Sequence, residues 1–428
     1  MPDISAVYLL IFIPVGLVLL LRADWAFYAF MVGLPLEMLI VDQFLTLPKI
    51  LGLIALVSFL LSTLTQRRKI KTDRVFWILG IYLNWCILSY FWSVDPYSSL
   101  IRIATIFQVT ILYLLVINQI ESEVILGRTM IAISIGAAIL ATSGVFELLA
   151  IGAPNQRLAG IARNANWYFV VAICSIPAFY WLIVNHRYFA VKLYAFLILG
   201  ALFITGINTQ SRGGLVSLGV FLSAYLAFTD KKVRWLFISA VIVLIGFQIM
   251  PPGFIERFAV VGHENVDRFT YLWPAAWHAF TMNMWKGYGI GTSDLIVPWY
   301  LFGYSGQMSP HNSLLAIGID TGVPGVLLYL SSVLIPTFGL LSAVKKSSHN
   351  TQRGKLQHFG LLLFCVLLAY MASWFKGGGM EYQKLLWVFV GLESSILNLL
   401  DVSTINQTRA NVEVEIYSHT LKRQILSS

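Results

Sequence analysis

From Lys192 to Lys232 the chain reads KLYAFLILGALFITGIN, then TQSRGG, then LVSLGVFLSAYLAFTDKK. Two apolar runs flank one short polar turn, and basic residues bound the pair. A run of about 18 apolar residues spans a bilayer core as a helix. Open strands are excluded there, because lipid offers no partner for unpaired backbone groups. This stretch therefore predicts two membrane helices joined at Arg212, and the rest of the chain repeats the theme.

Working outward, apolar segments fall at 5–21, 25–41, 47–64, 75–92, 101–118, 129–150, 166–184, 192–208, 213–228, 233–250, 312–342, 357–375 and 383–400. Hydrophobic residues are 58% of the 428 and charged residues 11%, against roughly 25% charged in a soluble domain. The chain is thus expected to be an all-α polytopic membrane protein. The net charge of +9 is concentrated in short loops, where it sets orientation and argues against nucleic acid as a partner. Cys86, Cys174 and Cys365 sit inside apolar segments and are read as small buried hydrophobes. The first run, from Ile4 to Leu21, lacks a basic start and a small-residue cleavage pattern, so no cleaved signal peptide is expected.

The loops alternate in charge. One set holds Arg67, Arg68, Lys69, Lys71 and Arg74, then Arg128, Arg187, Lys192, Lys231, Lys232, Arg234, Lys345, Lys346, Arg353 and Lys355, and the tail's Arg409, Lys422 and Arg423. The positive-inside rule assigns this set to the cytoplasm and the loop at 251–310 to the outside. Parity then predicts about twelve spanning helices, one of the segments 5–21 and 25–41 being partial or re-entrant. The boundaries expected are a membrane domain over 1–400, with the loop 251–310 inserted, and a polar cytoplasmic tail over 401–428.

Inside the loop, Phe269, Leu272, Trp273, Ala276, Trp277 and Phe280 recur at spacings of three and four. They predict an interfacial helix over Asp267–Trp285 with a Trp-rich face in the headgroup layer. Gly287-Tyr288-Gly289-Ile290-Gly291 has no preceding strand and no following Lys-Ser/Thr, so it reads as a flexible turn rather than a phosphate loop.

The loop ends at Pro310-His311-Asn312-Ser313, the start of the next helix. A histidine in a first helical turn feels the positive end of the dipole and is favoured neutral, which suits a general base. The competing assignment is a local cap. Arg163, Arg212 and Arg268 also lie at helix ends on the outer side. A single such arginine is usually a snorkelling anchor. Several together, against the orientation bias, point to an anion site, and a diphosphate needs several guanidinium forks. Arg257, Asn312 and Lys376 are further candidate substrate contacts. His263, Glu264, Asp267, Asp294, Tyr304 and Gln307 are external polar residues able to meet a sugar. Glu37, Asp42 and Glu147 would interest a transporter reading, but three scattered acids make a poor proton relay. No Cys/His cluster or HExxH occurs in a credible setting, so neither a metal nor another cofactor is expected.

Ser211-Arg212-Gly213, His311-Asn312-Ser313-Leu314 and Gly322-Val323-Pro324-Gly325, arranged around a late polar loop, resemble the O-antigen ligase family. The arrangement extends over roughly residues 40–400, the specific motifs over about 155–325. Related polysaccharide polymerases and protein O-oligosaccharyltransferases share much of it. The resemblance implies a GT-C-like glycosyltransferase of the bacterial inner membrane with a periplasmic active site. Its donor would be an undecaprenyl-diphosphate-linked glycan and its acceptor lipid A–core, without metal or nucleotide sugar. It also implies that His311 matches the catalytic histidine, and Arg212 and Arg268 the periplasmic arginines, with Arg163 a looser match. A polymerase would use a second lipid-linked glycan as acceptor. A lipid or glycan transporter is the reading from another class, and it would favour midplane polar groups and internal repeats.

Overall fold

The protein is described here from a computed structural model covering residues 16–42, 45–150, 157–229, 232–248, 268–301, 306–345, 351–375 and 379–401. Arg257, Lys376, His263, Glu264, Asp267, Tyr304 and the tail beyond 401 lie outside the described residues, as does most of the segment 5–21.

The chain is an all-α polytopic membrane protein. Its main helices are α1 (Ala23–Gly33), α2 (Leu47–Gln66), α3 (Arg74–Ser89), α4 (Pro96–Gln119), α5 (Glu123–Ala150), α6 (Ala165–Cys174) and α7 (Ile176–Asn185). These are followed by α8 (Phe189–Asn208), α9 (Arg212–Phe228), α10 (Lys232–Gln248), α11 (Trp273–Met282), α12 (Ser313–Lys345), α13 (Thr351–Ser373) and α14 (384–401). Eight spans among the described residues are long and apolar enough to cross a membrane: α2, α3 with its 3₁₀ extension, α4, α5, the α6–α7 pair, α8, α12 and α13. α1, α9, α10 and α14 are further helices among the described residues, outside that set of eight. The first of these four is short because α1 and its 3₁₀ extension cover only Ala23–Leu36, roughly 21 Å at 1.5 Å per residue. The chain then turns through a small antiparallel pair, Ile40–Asp42 with Leu45–Thr46, and returns as α2. This short helix falls in the segment 25–41, one of the pair in which one was expected to be partial; the other, 5–21, lies mostly outside the described residues.

Two ends of the bundle can be distinguished by charge. The basic end carries Arg67–Lys71, Arg128 and Arg187; the other carries His311 and the 268–301 segment. α13 and α14 are buried along nearly their whole described length, as expected of helices apolar all round. The core joins Trp374, Tyr370 and Trp387 to Tyr329, with ring centroids 5.6 Å apart for Tyr329–Trp374 and 5.7 Å for Tyr329–Trp387.

Two of the acids that could have signalled transport are structural. The Glu37 carboxylate accepts from the backbone N–H of Lys384 at 3.0 Å and pairs with its ammonium at 2.9 Å, capping the positive end of α14. Glu147 accepts from the backbone N–H groups of Ala159 and Gly160, fixing the approach to α6. The Asp42 side chain lies outside the description.

α12 departs from the expected continuous helix. Its backbone breaks at Gly322, with φ 67° and ψ −172°. A first half-helix, Ser313–Thr321, ends there, and the longer part carries on through Pro324. Helix-breaking residues are tolerated at membrane depth when the freed backbone groups find other partners. Here the freed groups meet the loop described next.

Candidate functional site

The Gly287–Gly291 stretch is not a flexible turn. Its backbone N–H groups cover the broken end of α12: Tyr288 donates to the Ile319 carbonyl at 2.9 Å and Gly289 to the Asp320 carbonyl at 3.0 Å. The Trp85 indole donates to the Thr321 carbonyl at 2.8 Å, and the Val323 N–H to the Met284 carbonyl at 2.7 Å. The buried Asp320 carboxylate accepts from Gly291, Thr292 and Ser293 N–H at 2.8, 2.9 and 2.7 Å. Glycine is required because the approach is so close. At Gly289, where φ is +105°, a Cβ would lie 2.6 Å from the Ser93 Cα. Sequence reasoning saw the glycines but lacked the partner, which lies about 30 residues downstream.

This clasp seats the segment bearing Arg268. Residues Arg268–Leu272 form a π turn leading into α11, which is shorter than the Asp267–Trp285 helix expected. Its faces also divide differently. Leu272, Ala276 and Ala279 pack inward on Ile319, Ile296 and Val297, while Phe269 and Trp277 point outward with Tyr271, Trp285 and Trp299. Small residues face the protein because the half-helix lies close, so the bulky aromatics are left for the surroundings.

His311 stands just before α12, not in its first turn. Asn312 is the N-cap, its side-chain oxygen accepting from Leu314 and Leu315 N–H at 3.1 and 3.2 Å. His311 has φ +49°, a left-handed conformation unusual for a residue with a Cβ. The following Ser313 N–H donates to the Trp374 carbonyl at 2.9 Å. Half-burial lowers the imidazole pKa below its usual value, and the nearby Arg268 guanidinium lowers it further, while Asp294 opposes. The neutral imidazole foreseen from the helix dipole is thus favoured, but by burial and a neighbouring cation.

A further arginine enters here that sequence reasoning did not single out as a site residue. Arg102, on α4, lies 4.9 Å over the Tyr382 ring and interacts electrostatically with Glu381, Asp320 and Asp294. Glu381 is 3% exposed, and its side chain hydrogen-bonds with Ser313, two residues beyond His311. Burial raises its pKa, against the lowering effects of Arg102 and that hydrogen bond. One of its oxygens, Oε2, has no partner among the described residues.

Arg163 and Arg212 form a second group at the same end. Arg163 is exposed, in a left-handed turn after Gly160–Ala162. Ser211 caps α9, its hydroxyl accepting from Gly214 N–H at 2.9 Å, which sets Arg212 at the first helical position. The two turns are tied through Asn166, whose side-chain oxygen accepts from Ser211 Oγ at 2.7 Å and Arg157 Nη2 at 3.2 Å. Arg157 Nε also donates to the Thr209 carbonyl at 3.2 Å. Among the described residues, this group connects to His311 through α13: Trp167 meets the Tyr370 ring at 6.3 Å, and Trp374 holds Ser313. His311 and Arg268 lie near enough to interact electrostatically; the turns bearing Arg163 and Arg212 are tied as neighbours. No group of three or more His, Cys, Asp or Glu side chains suited to a metal occurs among the described residues.

A membrane helical bundle with a half-buried histidine, an adjacent arginine and further arginines at one end defines a candidate enzyme for anionic, membrane-borne substrates. Residues 193–330 match the family model described as O-Antigen ligase, so that part of the chain is similar to a glycosyltransferase-like ligase/polymerase family. The matched span contains Arg212, Arg268 and His311; Arg163 falls before it. No curated protein matches the chain.

Proposed function

We propose that the protein is an O-antigen ligase that moves a glycan from undecaprenyl diphosphate to a sugar hydroxyl of lipid A–core at the periplasmic face of the bacterial inner membrane. The observation that carries this reading is the placing of half-buried His311, just before α12, within electrostatic reach of Arg268, which favours the neutral imidazole near a cation that can take a phosphate. The arrangement separates two tasks. His311 accepts the proton as the acceptor oxygen attacks the anomeric carbon. The bond from that carbon to the diphosphate oxygen breaks, and the leaving group departs with its charge stabilised by Arg268, Arg212 and Arg163. Displacement in one step inverts the configuration at the anomeric carbon, since no second carboxylate is assigned a nucleophile's role. Arg257, Asn312 and Lys376 remain proposed substrate contacts. Asn312 also caps α12, its side-chain oxygen accepting from Leu314 and Leu315 N–H.

The periplasmic orientation is supported by the charge segregation between the two ends of the bundle. Lateral arrival of both lipid-linked substrates fits the outward aromatics of the 268–301 segment, since Trp and Tyr favour the headgroup layer.

The test is reconstituted transfer with purified protein, lipid-diphosphate-linked glycan and no added metal. Lipid A–core and a second lipid-linked glycan are offered as competing acceptors. Glycan on lipid A–core is the expected result. Chain extension of the lipid-linked glycan would replace the ligase reading by a polymerase using the same donor. Transfer to neither acceptor by folded protein would reject both.

A further inference from the structure

At the basic end, away from His311, the start of α1 and the neighbouring ends of α2 and α4 enclose a cavity of about 720 Å³. This size falls in the range of small-molecule sites, roughly 300–1,000 Å³. Arg22, Arg68 and Lys69 line it. Of its two acids, Glu121 is bound to Lys71 at 2.8 Å, and Asp24 sits in the first turn of α1, facing that helix's positive end. The lining therefore has an excess of positive charge.

The wall is also built rather than loose. α2 ends with Arg67 in a left-handed conformation (φ 50°), and the backbone N–H groups of Arg67 and Arg68 both return to the Thr63 carbonyl, at 3.1 Å for Arg68. The turn sends Arg68 and Lys69 straight back over the helix end. The Asn118 side chain then clamps Lys71, two residues further on, from both sides, accepting from its N–H at 2.7 Å and donating to its carbonyl at 2.9 Å. Ser62, Thr63, Gln66, Asn118 and Gln119 add polar lining, and one open edge is apolar, where Leu21 is 81% exposed and Trp25 65% exposed. That apolar edge beside the basic groups suits a lipid tail attached to the anion; a soluble anion would leave it unused.

We propose that this cavity binds the phosphodiester head group of an anionic membrane phospholipid, with Arg22, Arg68 and Lys69 around the phosphate and the acyl chains leaving past Leu21 and Trp25. Basic pockets between helices suit such head groups. The inference is independent of the transfer chemistry at His311.

The test is lipid retention by the full chain, in nanodiscs of zwitterionic phosphatidylcholine with a minor fraction of phosphatidylglycerol, read by native mass spectrometry. Wild type is expected to hold phosphatidylglycerol selectively. Arg22→Gln, Arg68→Gln and Lys69→Gln should each weaken retention roughly fivefold, and Arg68→Lys should restore most of it. A control triple substitution at the same end, Arg187→Gln, Lys232→Gln and Arg234→Gln, should leave retention unchanged. Retention unaffected by the cavity substitutions, or equally lost in the control, would overturn the site. Displacement of the lipid by millimolar glycerol phosphate would overturn its lipid character in favour of a soluble anion. The single variants keep the test valid if a combined cavity variant fails to fold.

Discussion

His311 owes its proposed chemistry to its neighbours. Burial and Arg268 both favour the neutral ring, and Asp294 opposes them. The sign follows directly: with its pKa below the ordinary 6.5, His311 stays a competent base at pH values where a free histidine is protonated. The acidic limb of transfer rate against pH should therefore lie below 6.5. Arg268→Gln removes a like charge, so the limb should move to higher pH whatever happens to the maximum rate. Asp294→Asn should move it lower. A limb that stays in place in both variants would contradict the electrostatic coupling. Much of this was legible in the sequence, because His311 and Arg268 stand out as polar residues at the ends of apolar runs. Arg102 and Glu381 were not, since only folding brings α4 and the loop before α14 against Ser313.

At the scale of elements, the break in α12 and the Gly287–Gly291 clasp act as one unit. Asp320 receives three backbone N–H groups, and replacing it by Ala would strand them in a buried setting. Each stranded buried donor costs about 1–3 kcal/mol, so Asp320→Ala should lower apparent Tm sharply and impair transfer. Gly322→Ala tests the other side of the joint. Its φ is +67°, and an added Cβ would sit 2.7 Å from the Met284 carbonyl oxygen. Left-handed strain alone costs about 1–3 kcal/mol, measurable by thermal unfolding monitored by size-exclusion chromatography. Wild-type stability in either variant would mean that the joint is not structural. The break itself was hidden in the sequence. Gly322 and Pro324 interrupt no hydrophobic pattern, and Gly and Pro are ordinary in membrane helices. Only the partners of the freed carbonyls reveal it.

Across the whole molecule, charge and apolar surface divide the labour. The basic end carries the loops that orient the chain, and the opposite end gathers His311, Arg268, Arg212 and Arg163. Composition made the helical membrane class legible, and the motifs around Arg212, His311 and Gly322 pointed to the family whose model matches residues 193–330. Spatial grouping was not: the turns bearing Arg163 and Arg212 are tied through Asn166, whereas His311 and Arg268 interact electrostatically, and α13 connects the two groups through Tyr370 and Trp374. Orientation gives a further prediction. Gln307 is exposed at the His311 end, so Gln307→Cys should react with a membrane-impermeant maleimide from the periplasmic side; labelling only from the cytoplasmic side would invert the assignment.

The most direct measurement is single-turnover transfer by His311→Ala in proteoliposomes, with folding verified by chromatography and donor binding measured separately. Loss of a positioned general base predicts donor binding close to wild type and a transfer rate lower by about 10²- to 10⁴-fold. Folded His311→Ala that transfers glycan at the wild-type rate would contradict the account.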